Sequence, residues 1–275
     1  MSNERLTRDQ QREAARAKAK AMREAQKKNE GRKRILTITG IVSVSAALLG
    51  AIIFVASSTI DKAEELGEGP ATAIFNDGFR VGADLKMITS TSQADPAVPN
   101  IVIYQDMQCS HCKDFELANM AQIRELVSSG KYTVEVHPIS FMDSASANQY
   151  SSRAAGALAC VAEKSPNNFI SFNEALFVNQ PAGGTAGPSN EQLGELASQV
   201  GVTEKSAIDC ISNNTWAGWA KANAKNLSVG KVPGTNLEFG GTPMVIVNGQ
   251  QYQGDITNPA MFLQWLQTVA PVTGE

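Results

Sequence analysis

An apolar run and a cysteine pair stand side by side in Asn100-Ile101-Val102-Ile103-Tyr104-Gln105-Asp106-Met107-Gln108-Cys109-Ser110-His111-Cys112. Residues 100–104 are short, continuous and β-branched, and Pro96 and Pro99 precede them, which predicts a buried strand. Residues 113–128 place Phe115, Met120, Ile123, Leu126 and Val127 at helical spacing, and Gly130 closes the pattern. Residues 132–139 alternate, with Val134 and Val136 on one face, and predict a second strand. Strand, helix and strand in this order imply a right-handed crossover within a parallel or mixed sheet.

Downstream, the chain changes character. Residues 145–162, 169–177, 190–200, 203–212 and 216–226 predict a run of helices with no clear strand among them. An irregular Pro- and Gly-rich loop, 181–188, interrupts them, and Ser189 or Asn190 is suited to cap the helix that follows. Sheet pattern returns at Met244-Val245-Ile246-Val247, and Asn248-Gly249 supplies a tight turn into residues 251–253. A final helix over 260–269 is expected to bury Met261, Phe262, Trp265, Leu266 and Val269. The pattern is that of an α/β domain interrupted by a helical insertion.

Upstream, residues 35–56 form a stretch of 22 residues without a charge, long enough to cross a bilayer as one helix. Residues 1–34 carry twelve Lys or Arg against five Asp or Glu, a net of +7; the remaining twelve basic and 22 acidic residues give a net of -10. Arg32, Lys33 and Arg34 abut the apolar stretch, so the positive-inside rule keeps the N-terminus cytoplasmic and sends the rest across. The basic tail then needs no nucleic-acid partner; membrane lipid is its expected neighbour. A cleaved signal peptide and a buried core helix are the alternatives for residues 35–56. Against the first stand the length of the apolar segment and of the charged region before it; against the second, the basic flank. The expected division is a basic cytoplasmic tail over 1–34, a transmembrane helix over 35–56, and a stalk with domain entry over 57–96. The sheet domain follows over 97–141 and 231–275, with the helical insertion over 142–230.

Cysteines two residues apart at a helix start either bind a metal or cycle between dithiol and disulfide. A zinc site needs about four ligands. Cys160 and Cys210 are remote in sequence, and His137 is the only histidine besides His111. An inert structural bridge remains as a further alternative. Redox chemistry has the stronger physical case: at a helix N-terminus, unpaired N–H groups and the positive dipole end stabilise a thiolate on Cys109. Cys109 is expected to be the more exposed sulfur and to form the mixed disulfide, with Cys112 resolving it. His111 is positioned to favour the thiolate, or else is a solvent-facing helix residue. Favouring the thiolate favours the dithiol over the disulfide and makes the couple oxidising.

On these residues, and on Gly241-Thr242-Pro243-Met244-Val245 with the hairpin and helix that follow, the chain resembles the thioredoxin superfamily, and within it the DsbA-like extracytoplasmic thiol oxidoreductases. The resemblance implies a thioredoxin-like mixed sheet with an inserted helical subdomain. It also implies a cis peptide at Pro243, with Thr242 offering backbone groups to an extended substrate beside the cysteines; a trans proline opening a strand is the plainer reading. Asp106 resembles an acid found in several such proteins, where it assists proton transfer at the second cysteine; a turn or cap role is the alternative. Family members commonly carry a buried acid six residues before the first cysteine, where this chain has Ile103, and Ser110 replaces a proline frequent in the oxidising members.

Outside the cytoplasm Cys160 and Cys210 are expected to form a structural disulfide. The expected activity is a membrane-anchored oxidase that passes the Cys109–Cys112 disulfide to reduced exported proteins. It needs no bound cofactor and is reoxidised by a membrane redox partner or a small-molecule oxidant. A reductase or isomerase on the same fold, and a non-enzymatic membrane-anchored binding module, are the alternatives.

Overall fold

The computed structural model describes residues 69–228 and 230–272, together with Lys20 and Met22. The apolar stretch at 35–56 lies outside the described residues, as does most of the basic tail. Among the described residues no helix is long and apolar enough to cross a membrane.

Six strands form one sheet: β1 (Phe79–Val81), β2 (Met87–Ile88), β3 (Asn100–Gln105), β4 (Thr133–Pro138), β5 (Met244–Val247) and β6 (Gln250–Gln251). Their order is β2-β1-β4-β3-β5-β6. Strands β3 and β4 run parallel, joined by helix α1 (Ser110–Ser128), and every other pairing is antiparallel. The fold is thus a mixed thioredoxin-like sheet. Between β4 and β5 lie five helices: α2 (Tyr150–Lys164), α3 (Phe169–Val178), α4 (Asn190–Gln199), α5 (Lys205–Ser212) and α6 (Ala217–Ser228). Helix α7 (Pro259–Val269) closes the fold.

The sheet is covered on both faces. Ile101, Ile103, Val134, Val136, Val245 and Val247 share one apolar cluster with Phe115 and Ile123 of α1 and Phe262 of α7. The alternate positions Tyr104, Met244 and Ile246 pack with Ala224 and Leu227 of α6 in a second cluster. All six residues of β4 are buried, so the single apolar face expected there is replaced by two covered ones.

Several boundaries differ from the sequence reading for local reasons. The segment 57–96, expected as stalk and domain entry, supplies β1 and β2, which extend the sheet past β4. The helix expected over 145–162 begins at Tyr150, because Asn148 and Gln149 take left-handed φ values of 54° and 53° and break the preceding turns. Helix α1 starts at Ser110, earlier than expected. Met261 is 44 % exposed rather than buried. Helix α7 turns Phe262 and Leu266 inward, leaving Met261 on the side of Gln264 and Thr268.

Cys160 on α2 and Cys210 on α5 are joined as a disulfide, with Cα atoms 5.7 Å apart. The bond fastens two helices of the insertion.

Candidate active site

Strand β3 ends at Gln105, and four residues later Cys109 is the N-cap of α1 with extended backbone (φ -75°, ψ 120°). Its N–H donates to the Asp106 carbonyl (3.0 Å), and its own carbonyl accepts the first helical bond from Lys113 (3.2 Å). Both cysteines are free thiols. Cys109 is 6 % exposed and Cys112 is 2 % exposed, so Cys109 is the more accessible of the two but sits below the surface.

The far end of the chain reaches the same point. The Thr242–Pro243 peptide is cis, and the Cys109 Sγ lies 3.4 Å from the Thr242 carbonyl oxygen. Strand β5 carries this loop into place by pairing Met244 with Tyr104 of β3.

The two sulfurs have opposite acidities. A hydrogen bond from the Cys112 thiol pulls the Cys109 pKa down to about 5; burial opposes this, while the Thr242 side chain and the backbone N–H groups of Cys112 and His111 add to it. Burial, and then the neighbouring Cys109 thiolate, push Cys112 well above the ordinary thiol range. The Asp106 N–H points at the Cys112 sulfur from 3.5 Å. Near neutral pH the pair therefore holds one proton, on Cys112, shared toward an ionised Cys109.

His111 contributes through its backbone: its ring is 71 % exposed, with Nδ1 3.8 Å from Asp114 Oδ2. The Asp106 carboxylate is fully buried and accepts from the Gln108 N–H (2.8 Å), the Met142 N–H (2.7 Å) and the Ser151 hydroxyl (2.7 Å). Burial raises its pKa to about 6, against those three hydrogen bonds. It ties the approach loop to the insertion, with its backbone rather than its carboxylate turned to Cys112.

Polar residues not singled out in the sequence complete the site. Gln180, just beyond α3, donates to the carbonyls of Met107 (3.0 Å) and Cys109 (2.9 Å). Gln108 returns a bond to the Pro181 carbonyl (3.2 Å). Glu116, one helical turn beyond Cys112, is buried and accepts from Asn173 of α3 (2.8 Å); burial, and then the charge of Glu174, raise its pKa to about 8. No local pattern marks these residues, because each is defined by a partner many positions away. Among the described residues no cluster of three or more His, Cys, Asp or Glu side chains is placed to hold a metal ion.

The sequence model of the family described as Thioredoxin matches residues 89–267. No curated protein is matched by sequence. Among solved structures, reduced DsbA from Mycobacterium tuberculosis is 30 % identical with a TM-score of 0.58, the alignment covering 72 % of this chain and 94 % of that one. The reduced disulfide bond oxidoreductase DsbG of the same organism is 31 % identical at a TM-score of 0.58, covering 71 % and 88 %. BdbD from Bacillus subtilis, at 18 % identity and a TM-score of 0.55, shares the fold over 75 % of this chain and 97 % of its own.

Proposed function

Because the chain belongs to the thioredoxin family, in its DsbA-like branch of thiol–disulfide oxidoreductases, we propose that its Cys109–Cys112 disulfide oxidises cysteine pairs in exported proteins. The observation that carries the direction is the acidity of Cys109, brought to about 5 by the Cys112 thiol and the start of α1. Whatever stabilises the thiolate stabilises the dithiol product, and so drives disulfide out of the enzyme into a client.

The exchange runs in two steps. A client thiolate attacks the Cys109 sulfur of the enzyme disulfide; a client–Cys109 bond forms, the Cys109–Cys112 bond breaks, and Cys112 leaves and takes up a proton. The second client thiolate then attacks the client sulfur of that mixed disulfide and expels Cys109, which stays ionised. Two electrons pass from client to enzyme. Of the two client protons, one ends on Cys112 and one in solvent. Thr242 accompanies the mixed disulfide, its backbone edge accepting an extended client segment beside Cys109. Phe141, half exposed, packs edge-on against Phe239 at 5.7 Å and adds an apolar contact for an unfolded client. A membrane redox partner or a small-molecule oxidant restores the disulfide.

Residues 35–56 anchor the enzyme with the described domain outside the cytoplasm. The uncharged stretch with its basic flank supports this, as does the Cys160–Cys210 bond, of a kind that persists in oxidising compartments.

The oxidised enzyme should restore activity to reduced, unfolded ribonuclease, and Cys109→Ser should abolish this. Its potential against glutathione should fall nearer about -120 mV than about -270 mV; a value at the reducing end would make it a reductase. For the anchor, alkaline carbonate should leave the full chain in the membrane pellet, and externally added protease should digest the domain in wall-free cells. Release into the supernatant, or protection from the protease, would sink the proposed topology.

A further inference from the structure

Helix α3 and the residues just after it meet the redox loop through polar groups that reach three successive elements. Asn173 accepts from Gln105, the last residue of β3, and donates to Glu116 on α1. Seven positions on, just past the end of α3, Gln180 donates to the carbonyls of Met107 and Cys109 in the loop between them. Gln108 answers from the loop with its bond to the Pro181 carbonyl. Strand end, loop and helix are the three parts that place the cysteines, and the insertion grips all of them.

Asp106 ties the start of this loop to the insertion, and Gln180 holds the two carbonyls further along it. Met107 is fully buried, so its carbonyl has no access to water, and leaving it without a partner would be destabilising. Cys109, as N-cap, has a helical partner on one side only: Lys113 binds its carbonyl, and its N–H is held within the loop by Asp106. The backbone N–H groups of His111 and Cys112 and the Cys112 thiol all act to lower the Cys109 pKa. Each of these interactions weakens as its distance and angle depart from the hydrogen-bonding range, so they depend on where the Cys109 backbone is held.

We propose that Gln180 is a positioning residue for thiol–disulfide exchange, holding the Cys109 backbone from the helical insertion so that the sulfur stays over the start of α1. The inference rests on Cys109–Cys112 being the redox pair and is independent of the direction in which the couple runs. It gives the insertion a part in the chemistry: the redox equilibrium is set from α3 as well as from the sheet.

The test uses the full chain and Gln180→Met, which keeps length and bulk and removes both N–H donors. Thiolate absorbance against pH and the equilibrium with glutathione are measured beside the Cys160→Ala/Cys210→Ala double variant, which loosens the fold away from the loop. Gln180→Met should raise the Cys109 titration by about one pH unit and move the glutathione equilibrium about tenfold toward the enzyme disulfide. The double variant should melt earlier with its Cys109 titration unmoved. An unchanged titration in Gln180→Met, whatever its melting temperature, overturns the proposal, as does an equal shift in the double variant. Should Gln180→Met not fold, Gln108→Met removes the reciprocal bond from the loop side; a shift in the same direction supports the proposal and none overturns it. A wild-type pair that does not exchange with glutathione would instead refute the redox reading itself.

Discussion

The Cys109 sulfur and the Thr242 carbonyl oxygen lie 3.4 Å apart across 133 positions of sequence. The contact brings the two halves of the interrupted sheet domain to one atom. The carbonyl accepts from a protonated Cys109, whereas the Thr242 side chain lowers the Cys109 pKa and so favours the thiolate; this one residue acts on both forms. Thr242→Val keeps the shape and removes only the donor. It should raise the Cys109 pKa by about one unit, the scale of a single hydrogen bond to a charged group. Absorbance of the thiolate at alkaline and acid pH measures it, and a superimposable titration would remove Thr242 from the site's electrostatics.

Cys112 has the largest effect on Cys109. Cys112→Ala should therefore raise the Cys109 pKa further than Thr242→Val does, by about 1–2 units, while Cys112→Ser, which keeps a donor, should fall between wild type and Cys112→Ala. Offered a single-cysteine peptide as its disulfide with glutathione, both variants should form a mixed disulfide on Cys109 and keep it, since Cys112 is no longer there to displace the peptide. Rapid release of peptide from Cys112→Ala would show that another thiol completes the exchange.

The opposite shifts of the pair fix the pH dependence. Above about 5 the reduced enzyme carries one proton fewer than two glutathione molecules do, until glutathione itself ionises near the free-thiol value of about 8.5. Each molecule of client oxidised then releases a proton, and the enzyme becomes more oxidising relative to glutathione by about tenfold per pH unit in that window. Below about 5 the dependence should flatten. The same shift stabilises the folded dithiol form: the contribution is complete above the unfolded thiol value and is lost as pH falls toward 5. A redox equilibrium flat between pH 6 and 8 would contradict an ionised Cys109.

Glu116 carries the reverse sign. Its carboxyl is raised to about 8 by burial, so the folded protein holds a proton that the unfolded chain gives up near 4.5. Stability should decline as pH rises through that interval and level off beyond it. Glu116→Gln keeps a group that bonds Asn173 and removes the charge, so its advantage over wild type should be absent at pH 4 and clear at pH 9. Thermal melts of the disulfide form, in which Cys109 does not titrate, isolate the effect; parallel melting curves across pH would show that Glu116 is hydrated.

The Cys160–Cys210 bond closes a loop with a sequence separation of 50. The chain-entropy relation gives about 4 kcal/mol for that length. Replacing both cysteines by alanine should lower stability by that order in chemical denaturation while the Cys109 titration stays in place. An unfolding midpoint equal to wild type would mean that the insertion holds α2 and α5 together by packing alone.

What could be read from sequence follows the range of the interactions. The β3–Cys109–α1 unit was legible because an unbroken β-branched run, a cysteine pair and a helical apolar pattern are all local. Met244 to Val247 and the Asn248-Gly249 turn were legible for the same reason. Strands β1 and β2, three and two residues long, fall below any periodicity, and they exist because Phe79 and Val81 find Val136 and Val134 more than fifty positions away. Glu116 in isolation is an ordinary surface-type residue on an amphipathic helix. Only the arrival of α3, with Asn173 above it, makes it a buried acid. Gln180 is equally silent, since a glutamine at the edge of a Pro- and Gly-rich loop carries no pattern until the carbonyls of Met107 and Cys109 lie opposite.

Strand β5 joins β3 only after the five helices of the insertion have been synthesised, so Thr242 is among the last groups to reach Cys109. A nascent chain displays its cysteines long before that partner exists. Full reactivity thus depends on the closing of the sheet, because only the pairing of β5 with β3 sets Thr242 against Cys109.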